Sequence, residues 1–228
     1  DDERRIVGWE EKPDQPRGNL ASMGVYAFSA AYLKEILNQA DDLDFGKDIV
    51  PKACTSARTF AYPFKGYWRD VGTLEAYWEA NLDLLQSDRK LDPEAWKIYP
   101  RLVDPSRIAD RPPTFIGRSA SVEQSIVSPG CVIEGEVYNS VLSPGVWVHG
   151  DAVVHNSVIL ENCEIGPGAI VANSVLDKSV IIEENVILGC DERLHLHAGA
   201  RQDLDADLTV IGKGSVVSSS TVVEKHCM

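Results

Sequence analysis

The chain has few cysteines, and they show no pairing pattern. The five cysteines are odd in number, widely spaced and without a C-x-x-C pair. They are Cys54, Cys131, Cys163, Cys190 and Cys227. This pattern predicts reduced thiols in a cytoplasmic protein. The chain also lacks an apolar signal region and any apolar run near the roughly 20 residues of a membrane helix, so we expect neither a signal peptide nor a membrane span.

Positive charge is also scarce. The chain has 22 Lys and Arg against 35 Asp and Glu, a net charge of -13, and no long basic run. Such a surface argues against nucleic-acid binding, which needs a basic stripe for the phosphate backbone. A small anionic substrate is still compatible, because a few local cations or a metal ion can reverse the sign of one pocket. The composition, 44% hydrophobic and 25% charged, is that of a globular protein.

Residues 1–90 predict an α/β domain with a Rossmann-like mixed sheet, because strand-like and helical segments alternate. Strands are predicted at 5–9, 19–28 and 58–64, and a helix at 30–37. Asp44 and Thr73 are predicted to cap two further helices. The charged start runs directly into a strand-like stretch. This suggests that the chain begins inside a domain whose upstream half is missing. The proline-rich segment that follows predicts a linker at 91–113.

From 114 to 228 the sequence is a repeat. A triplet recurs at spacings of 15, 17 and 17 residues. Its copies are Gln124-Ser125-Ile126, Asn139-Ser140-Val141, Asn156-Ser157-Val158 and Asn173-Ser174-Val175. Aliphatic residues return about every five or six positions, which predicts a left-handed parallel β-helix of hexapeptide repeats built from triangular coils. An antiparallel sandwich is the alternative, but strict hydrophobic alternation is absent.

An insertion at 190–207 interrupts the repeat. It carries His195 and His197 close to Asp191 and Glu192. Two histidines two residues apart, without a second ligand cluster, favour a polar surface loop over a metal site.

Three polar clusters end predicted strands in the first domain, at 10–13, 19–24 and 67–73. In an open α/β sheet, ligands bind beyond the carboxyl ends of the strands. Lys12 can neutralise a phosphate, Glu11 can accept hydrogen bonds from sugar hydroxyls, and Asp70 can hold a divalent cation. Ser22 and the backbone around Gly24 can closely approach a small polar ligand. Spacing alone instead favours a solvated charge pair for Glu11 and Lys12 and a helix cap for Asp70.

Longer motifs carry a family resemblance. The segment 67–84, YWRDVGTLEAYWEANLDL, resembles the signature of bacterial and plant glucose-1-phosphate adenylyltransferases, which make ADP-glucose for glycogen and starch. The segments 11–13, 20–26 and 44–49 match the same family in the same order. Related thymidylyl-, guanylyl- and uridylyltransferases share the EKP element, whereas the WRDVGT form is typical of the adenylyl branch.

The resemblance implies roles for the residues that match. Glu11 and Lys12 would bind glucose 1-phosphate, with Lys12 at its phosphate. Ser22 would contact the sugar, with Gly24 beside it in the substrate site. Asp70 would be one of two carboxylates that hold a catalytic Mg²⁺. Lys47 and Asp48 match positions near the same pocket.

The chain departs from the family pattern in one large respect. The Gly-rich nucleotide-binding signature and the second metal carboxylate are absent from its residues. We expect both to lie upstream of Asp1 and this chain to be inactive alone. By analogy with the family, the complete enzyme would use ATP and form a homo-tetramer through the β-helix, which would also serve allosteric control.

Two alternatives remain open at this point. Hexapeptide-repeat acyltransferases use a histidine as general base, and His149 and His155 lie within the repeat, although histidines on the surface of a coil are the simpler interpretation. The WRDVGT segment argues against an acyltransferase. A non-catalytic regulatory subunit of the adenylyltransferase is the second alternative.

Overall fold

The computed structural model describes residues 3–38, 44–86, 91, 96, 111–189 and 208–223. The chain divides into two compact units between Asp70 and Val71. The predicted boundary at residue 90 and most of the predicted linker at 91–113 lie outside the described residues, so both stay predictions. Among the described residues, no helix combines the length and apolar character needed to cross a membrane.

The described residues of the first unit form two helices and a π-helical turn. Helix α1 is Ala30–Asn38, the turn is Phe45–Ile49, and helix α2 follows directly as Val50–Ser56. The predicted helix at 30–37 is confirmed. Asp44 caps the turn as predicted, because its side chain accepts hydrogen bonds from the backbone N–H groups of Gly46 and Lys47.

The predicted strands of the first unit are irregular in the structure. Among its described residues the single pairing is an antiparallel bridge between Arg5 and Phe60. The backbone N–H of Ile6 donates to the carbonyl of Thr59 at 2.9 Å beside it. Segment 19–28 forms no strand. A strand needs a hydrogen-bonded neighbour along its length, and the described residues supply one for a single residue pair only.

Helix α3, Leu74–Leu82, opens the second unit and leads into a short 3₁₀ turn, Asp83–Leu85. The predicted cap is confirmed: the Thr73 hydroxyl accepts a hydrogen bond from the Ala76 N–H at 3.1 Å. The apolar stripe of α3 packs on aliphatic side chains of the repeat. This packing explains why the helix groups with the repeat and not with the first unit.

The repeat forms three parallel sheets, hereafter the prism. The first consists of β1 Phe115–Ile116, β4 Val132–Ile133, β7 Trp147–Val148, β10 Glu164–Ile165, β13 Ile181–Ile182 and β16 Val216–Val217. The second consists of β2 Ser121–Glu123, β5 Glu136–Tyr138, β8 Val153–His155, β11 Ile170–Ala172, β14 Ile187–Leu188 and β17 Val222–Val223. The third consists of β3 Ile126–Val127, β6 Val141–Leu142, β9 Val158–Ile159, β12 Ser174–Leu176 and β15 Thr209–Ile211.

Consecutive strands belong to consecutive sheets, so the chain passes once through each sheet per coil. Every strand pair is parallel, for example Ile133 with Val148 and Val137 with Val154. The predicted parallel β-helix of hexapeptide repeats is therefore confirmed, and the antiparallel sandwich is wrong. Its predicted left-handed winding stays a prediction. One aliphatic residue of each strand from β2 to β17 points inward, and the interior of the prism is a continuous apolar column.

The recurring triplets form one corner of the prism. Each asparagine has a left-handed backbone, with φ of 44° at Asn139, 47° at Asn156 and 43° at Asn173. Asparagine tolerates this conformation better than most residues, and its amide can bond to the coil above. The Asn139 amide donates to the Asn156 side-chain oxygen at 2.7 Å, and the Asn156 amide donates to Asn173 at 3.2 Å. The repeat is thus a ladder of side-chain hydrogen bonds.

Candidate functional site

Four aromatic rings bring together three of the segments that carry predicted site residues. The ring of Tyr26 lies 6.5 Å from that of Trp9 and 6.1 Å from that of Phe45, with which it is stacked. Phe28 packs edge-on against Phe45 at 6.0 Å. Trp9 precedes Glu11 in the chain and Tyr26 follows Ser22. The rings therefore bring the segments that carry Glu11, Ser22 and Lys47 close to one another.

Glu11 and Lys12 follow Trp9 in the chain. The Glu11 carboxylate lies against Gly46, where an added Cβ would come within 2.8 Å of its Oε2 atom. Lys12 is exposed and has a left-handed backbone with φ of 45°. Such a conformation is uncommon for a lysine and is often found at functional sites. Both residues thus lie beside the turn that begins at Phe45.

Asp44 is a third charged group of the site, and its closeness to Lys12 was not predicted from the sequence. The backbone N–H of Lys47 is the main cause of a lowered Asp44 pKa, assisted by the Gly46 N–H and by the charges of Lys47 and Lys12. The two backbone N–H groups therefore favour the ionised carboxylate, and the Lys12 charge makes the smallest of these contributions. The signal available in the sequence was the cap itself, because a capping Asp has a fixed orientation.

Asp48 and Lys47 support this turn. The backbone N–H of Asp44 donates to the Asp48 carboxylate at 3.1 Å, while the Lys47 N–H donates to Asp44 Oδ1 at 2.9 Å. These two bonds are reciprocal, as in a capping box. The Asp48 carboxylate has a structural partner in the turn, and Lys47 presents an exposed side chain.

Ser22 and Gly24 form a tight turn beside Tyr26. The Gly24 N–H donates to Ser22 Oγ at 3.2 Å, and Ser22 Oγ lies 3.0 Å from the Tyr26 hydroxyl. Gly24 has φ of 70°, a conformation that glycine adopts without strain. All three residues are exposed, so the two hydroxyl groups form a hydrogen-bonded pair open to a ligand.

Asp70 is exposed, and no described contact joins it to Lys12, Glu11 or Ser22. The alternative role as helix cap is wrong, because Thr73 holds that position. The described residues contain no group of three or more acidic, histidine or cysteine side chains arranged to hold a metal ion. A single exposed carboxylate nevertheless fits Mg²⁺, which takes one or two carboxylates together with substrate phosphates and water.

The two histidines of the repeat are held in different ways. His155 is 7% exposed and its ring stacks on Tyr138 at 5.0 Å. Burial lowers the pKa of His155. His149 stacks on Trp147 at 4.3 Å, and its Nε2 atom lies 2.9 Å from a Glu164 oxygen. His195, His197, Cys190 and Cys227 lie outside the described residues.

Comparison with known proteins places these features in a family. Residues 1–87 match the nucleotidyl transferase family, and residues 113–211 match the GlmU-like C-terminal hexapeptide family. A curated glucose-1-phosphate adenylyltransferase from Desulforamulus reducens is 41% identical over 231 residues, which cover 98% of this chain and 55% of the relative. Another from Acetivibrio thermocellus is 39% identical over 237 residues, covering 97% and 52% respectively. A third from Bacillus thuringiensis is 42% identical over 195 residues, covering 82% and 50%.

Fold and matches together define a nucleotidyltransferase segment followed by a hexapeptide-repeat domain. Within that class, the chain is similar to curated glucose-1-phosphate adenylyltransferases, at 39–42% identity. The chain spans about half the length of the curated relatives it matches. Nucleotidyl transferases generally use a divalent metal ion. A sugar 1-phosphate and a nucleoside triphosphate, the substrates of such enzymes, are consistent with the family match.

Proposed function

We propose that this chain provides the glucose 1-phosphate side of a glucose-1-phosphate adenylyltransferase, which converts ATP and glucose 1-phosphate into ADP-glucose and pyrophosphate. The observation that carries the proposal is the grouping of Lys12 with Glu11 and the Asp44 turn, next to the hydroxyl pair of Ser22 and Tyr26. One cation for a phosphate and several oxygens for sugar hydroxyls match the two halves of glucose 1-phosphate.

Lys12 binds the phosphate of glucose 1-phosphate in this proposal, and its positive charge also acts on the Asp44 carboxylate of the turn. Glu11 accepts hydrogen bonds from sugar hydroxyls. Ser22 contacts the sugar beside the backbone of Gly24, whose lack of a side chain permits close approach. Lys47 and Asp48 act mainly through the turn, because Asp48 bonds to the backbone of Asp44.

The reaction is a nucleotidyl transfer. A phosphate oxygen of glucose 1-phosphate forms a bond to the α-phosphorus of ATP, the bond from that phosphorus to the bridging oxygen breaks, and pyrophosphate leaves. Such transfers depend on positioning and charge neutralisation more than on covalent catalysis. Asp70 would be one ligand of Mg²⁺, which when bound neutralises charge on the phosphates. Lys12 lowers the repulsion between the two anionic substrates.

Assembly is a second part of the proposal, and we assign it to the prism as a homo-tetramer. The outward residues of the first sheet include three large apolar side chains aligned along the coils: Phe115, Ile181 and Val216 are 58%, 40% and 55% exposed. Aligned exposed apolar side chains on a folded domain often mark a contact surface. Light scattering of the complete gene product tests the mass, and a monomer at micromolar concentration would contradict this part.

The decisive experiment for the activity is pyrophosphate release by the complete gene product, supplied with glucose 1-phosphate, Mg²⁺ and each nucleoside triphosphate in turn. Release with ATP alone is the expected result. Release with another nucleotide would replace the adenylyl assignment by a related transferase. If no nucleotide gives pyrophosphate release, but release appears after a second subunit is added, the chain would belong to a regulatory subunit instead.

A further inference from the structure

Gly46 occupies a position where the backbone does not require glycine. It lies in the helical turn Phe45–Ile49 and is not among the glycines with positive φ. Its backbone N–H donates to Asp44 Oδ1 at 2.7 Å, a bond that any residue except proline can make. Within a helical segment, glycine is less favourable than alanine because it loses more conformational freedom on folding. The local structure of the turn therefore favours alanine at this position.

The Glu11 carboxylate occupies the space that a side chain at position 46 would need. A Cβ added to Gly46 would lie 2.8 Å from Glu11 Oε2 and 3.2 Å from Glu11 Cδ, closer than non-bonded atoms pack. The next nearest atom is Asp44 Oδ1 at 3.3 Å, which two backbone N–H groups hold in place. The severe conflict is thus with Glu11, and Asp44 would have to move only slightly.

Aromatic packing sets the distance between Glu11 and Gly46. Trp9 lies two residues before Glu11, Phe45 directly precedes Gly46, and both rings pack against Tyr26. The two segments are thereby held so close that the carboxylate fits only beside a residue without a side chain. Glu11 is exposed, and none of the described hydrogen bonds involves its carboxylate. Its oxygens are therefore available to a ligand.

We infer that Gly46 is a positioning residue for Glu11. The missing side chain lets the carboxylate lie against the turn, in the place from which it accepts hydrogen bonds from sugar hydroxyls. The inference rests on the proposed function, in which Glu11 binds glucose 1-phosphate. It also gives a reason for a glycine that weakens the turn, because substrate binding benefits where local stability is reduced.

The first test is structural and needs no activity. In Gly46→Ala of the complete gene product, the Glu11 carboxylate has to withdraw by roughly 0.7 Å to reach an ordinary separation of about 3.5 Å. We expect a crystal structure of the variant to show this displacement. Its thermal midpoint should equal or exceed that of wild type, since alanine favours the turn. An unmoved carboxylate would overturn the inference, and so would a midpoint well below wild type, because the variant would then act by damaging the turn.

The second test is kinetic and compares two backgrounds. Gly46→Ala should raise the KM for glucose 1-phosphate about tenfold, the lower end of the effect of losing a hydrogen bond to a charged group, while the KM for ATP stays within about twofold. In a chain that already carries Glu11→Ala, Gly46→Ala should change the KM for glucose 1-phosphate by less than about twofold, because no carboxylate remains to be displaced. A similar rise in both backgrounds would show that the variant acts through Asp44 or the backbone and would overturn the inference.

Gly18→Ala is the matched control. Gly18 also has no positive φ, and an added Cβ there meets no atom within 4 Å. This variant should leave the KM values and the position of the Glu11 carboxylate as in wild type. If the wild type releases no pyrophosphate with glucose 1-phosphate, the proposed function fails, whereas the crystal structure of Gly46→Ala still decides whether Gly46 sets the position of Glu11.

Discussion

The hydroxyl of Ser140 accepts a hydrogen bond from the backbone N–H of Ser157 at 3.0 Å. The same bond joins Ser157 to Ser174 in the next coil, at 3.1 Å. Each of these hydroxyls also donates to the carbonyl two residues earlier, as Ser157 does to His155 at 2.7 Å. Serine recurs in the triplets because its hydroxyl accepts from a backbone N–H that would otherwise be buried without a partner. Its donated bond goes to a carbonyl that, at His155, also accepts from the Asn173 N–H.

Ser157→Ala should therefore destabilise the prism by about 1–3 kcal/mol, because it leaves the buried N–H of Ser174 unbonded. Ser125→Ala is the matched control. Ser125 makes the same pair of bonds, to Ser140 and Glu123, at a more exposed coil, and should cost less than about 1 kcal/mol. Urea unfolding followed by circular dichroism measures both. Equal losses would show that burial of the ladder contributes nothing.

Local signals predicted much of the fold. Asp44 and Thr73 were recognisable as caps because a cap depends on residues within one turn. The triplets predicted the parallel coils because each coil repeats the same corner. The strand expected at 19–28 did not form, since a strand depends on a neighbour that its own sequence does not specify. The spacing of apolar residues within one segment does not identify which other segment will pair with it.

The candidate site was predictable residue by residue but not as an arrangement. Glu11, Lys12 and Ser22 were recognisable as polar residues at the ends of strand-like segments. The sequence did not predict that Asp44 and Lys12 belong to the same cluster. Their grouping depends on aromatic packing between segments more than 15 residues apart in the sequence. The same holds for Trp78, whose apolar stripe was evident but whose partner Asn156 lies 78 residues away.

Buried His155 should make the prism sensitive to acid. Its pKa lies below the ordinary value of 6.5 because burial disfavours the charged ring. The unfolded chain therefore binds the proton more tightly, so this contribution to stability is fully present above pH 6.5 and is lost as the pH falls through the folded pKa.

His155→Phe tests this dependence. Among the described residues the buried Nδ1 atom of His155 has no hydrogen-bond partner, so a phenyl ring that keeps the stacking on Tyr138 should leave stability at pH 8 unchanged or slightly higher. The difference in unfolding free energy between the variant and wild type should then grow in favour of the variant between pH 6.5 and 5. A difference that stays constant from pH 8 to 5 would exclude His155 as the titrating group.

Lys12→Ala should raise the KM for glucose 1-phosphate about 10- to 100-fold, because a charge-assisted hydrogen bond to a phosphate contributes about 1.5–3 kcal/mol. Initial rates of pyrophosphate release at saturating ATP measure the change. Lys34→Ala is the control, since Lys34 is an exposed lysine of α1 with no described contact to the site. A KM within twofold of wild type for Lys12→Ala would remove Lys12 from the phosphate site.

Asp70→Asn should lower kcat about 100-fold or more, because the amide keeps the shape of the side chain but loses the charge that a divalent cation requires. Its thermal midpoint should match that of wild type, since the carboxylate is exposed and makes no described hydrogen bond. Asp14→Asn, another exposed position of the first unit, should leave kcat unchanged. Steady-state kinetics across a range of Mg²⁺ concentrations would separate the two outcomes. A metal ligand gives a deficit that excess Mg²⁺ reduces only in part, whereas near-normal turnover at ordinary Mg²⁺ would show that Asp70 holds no catalytic metal.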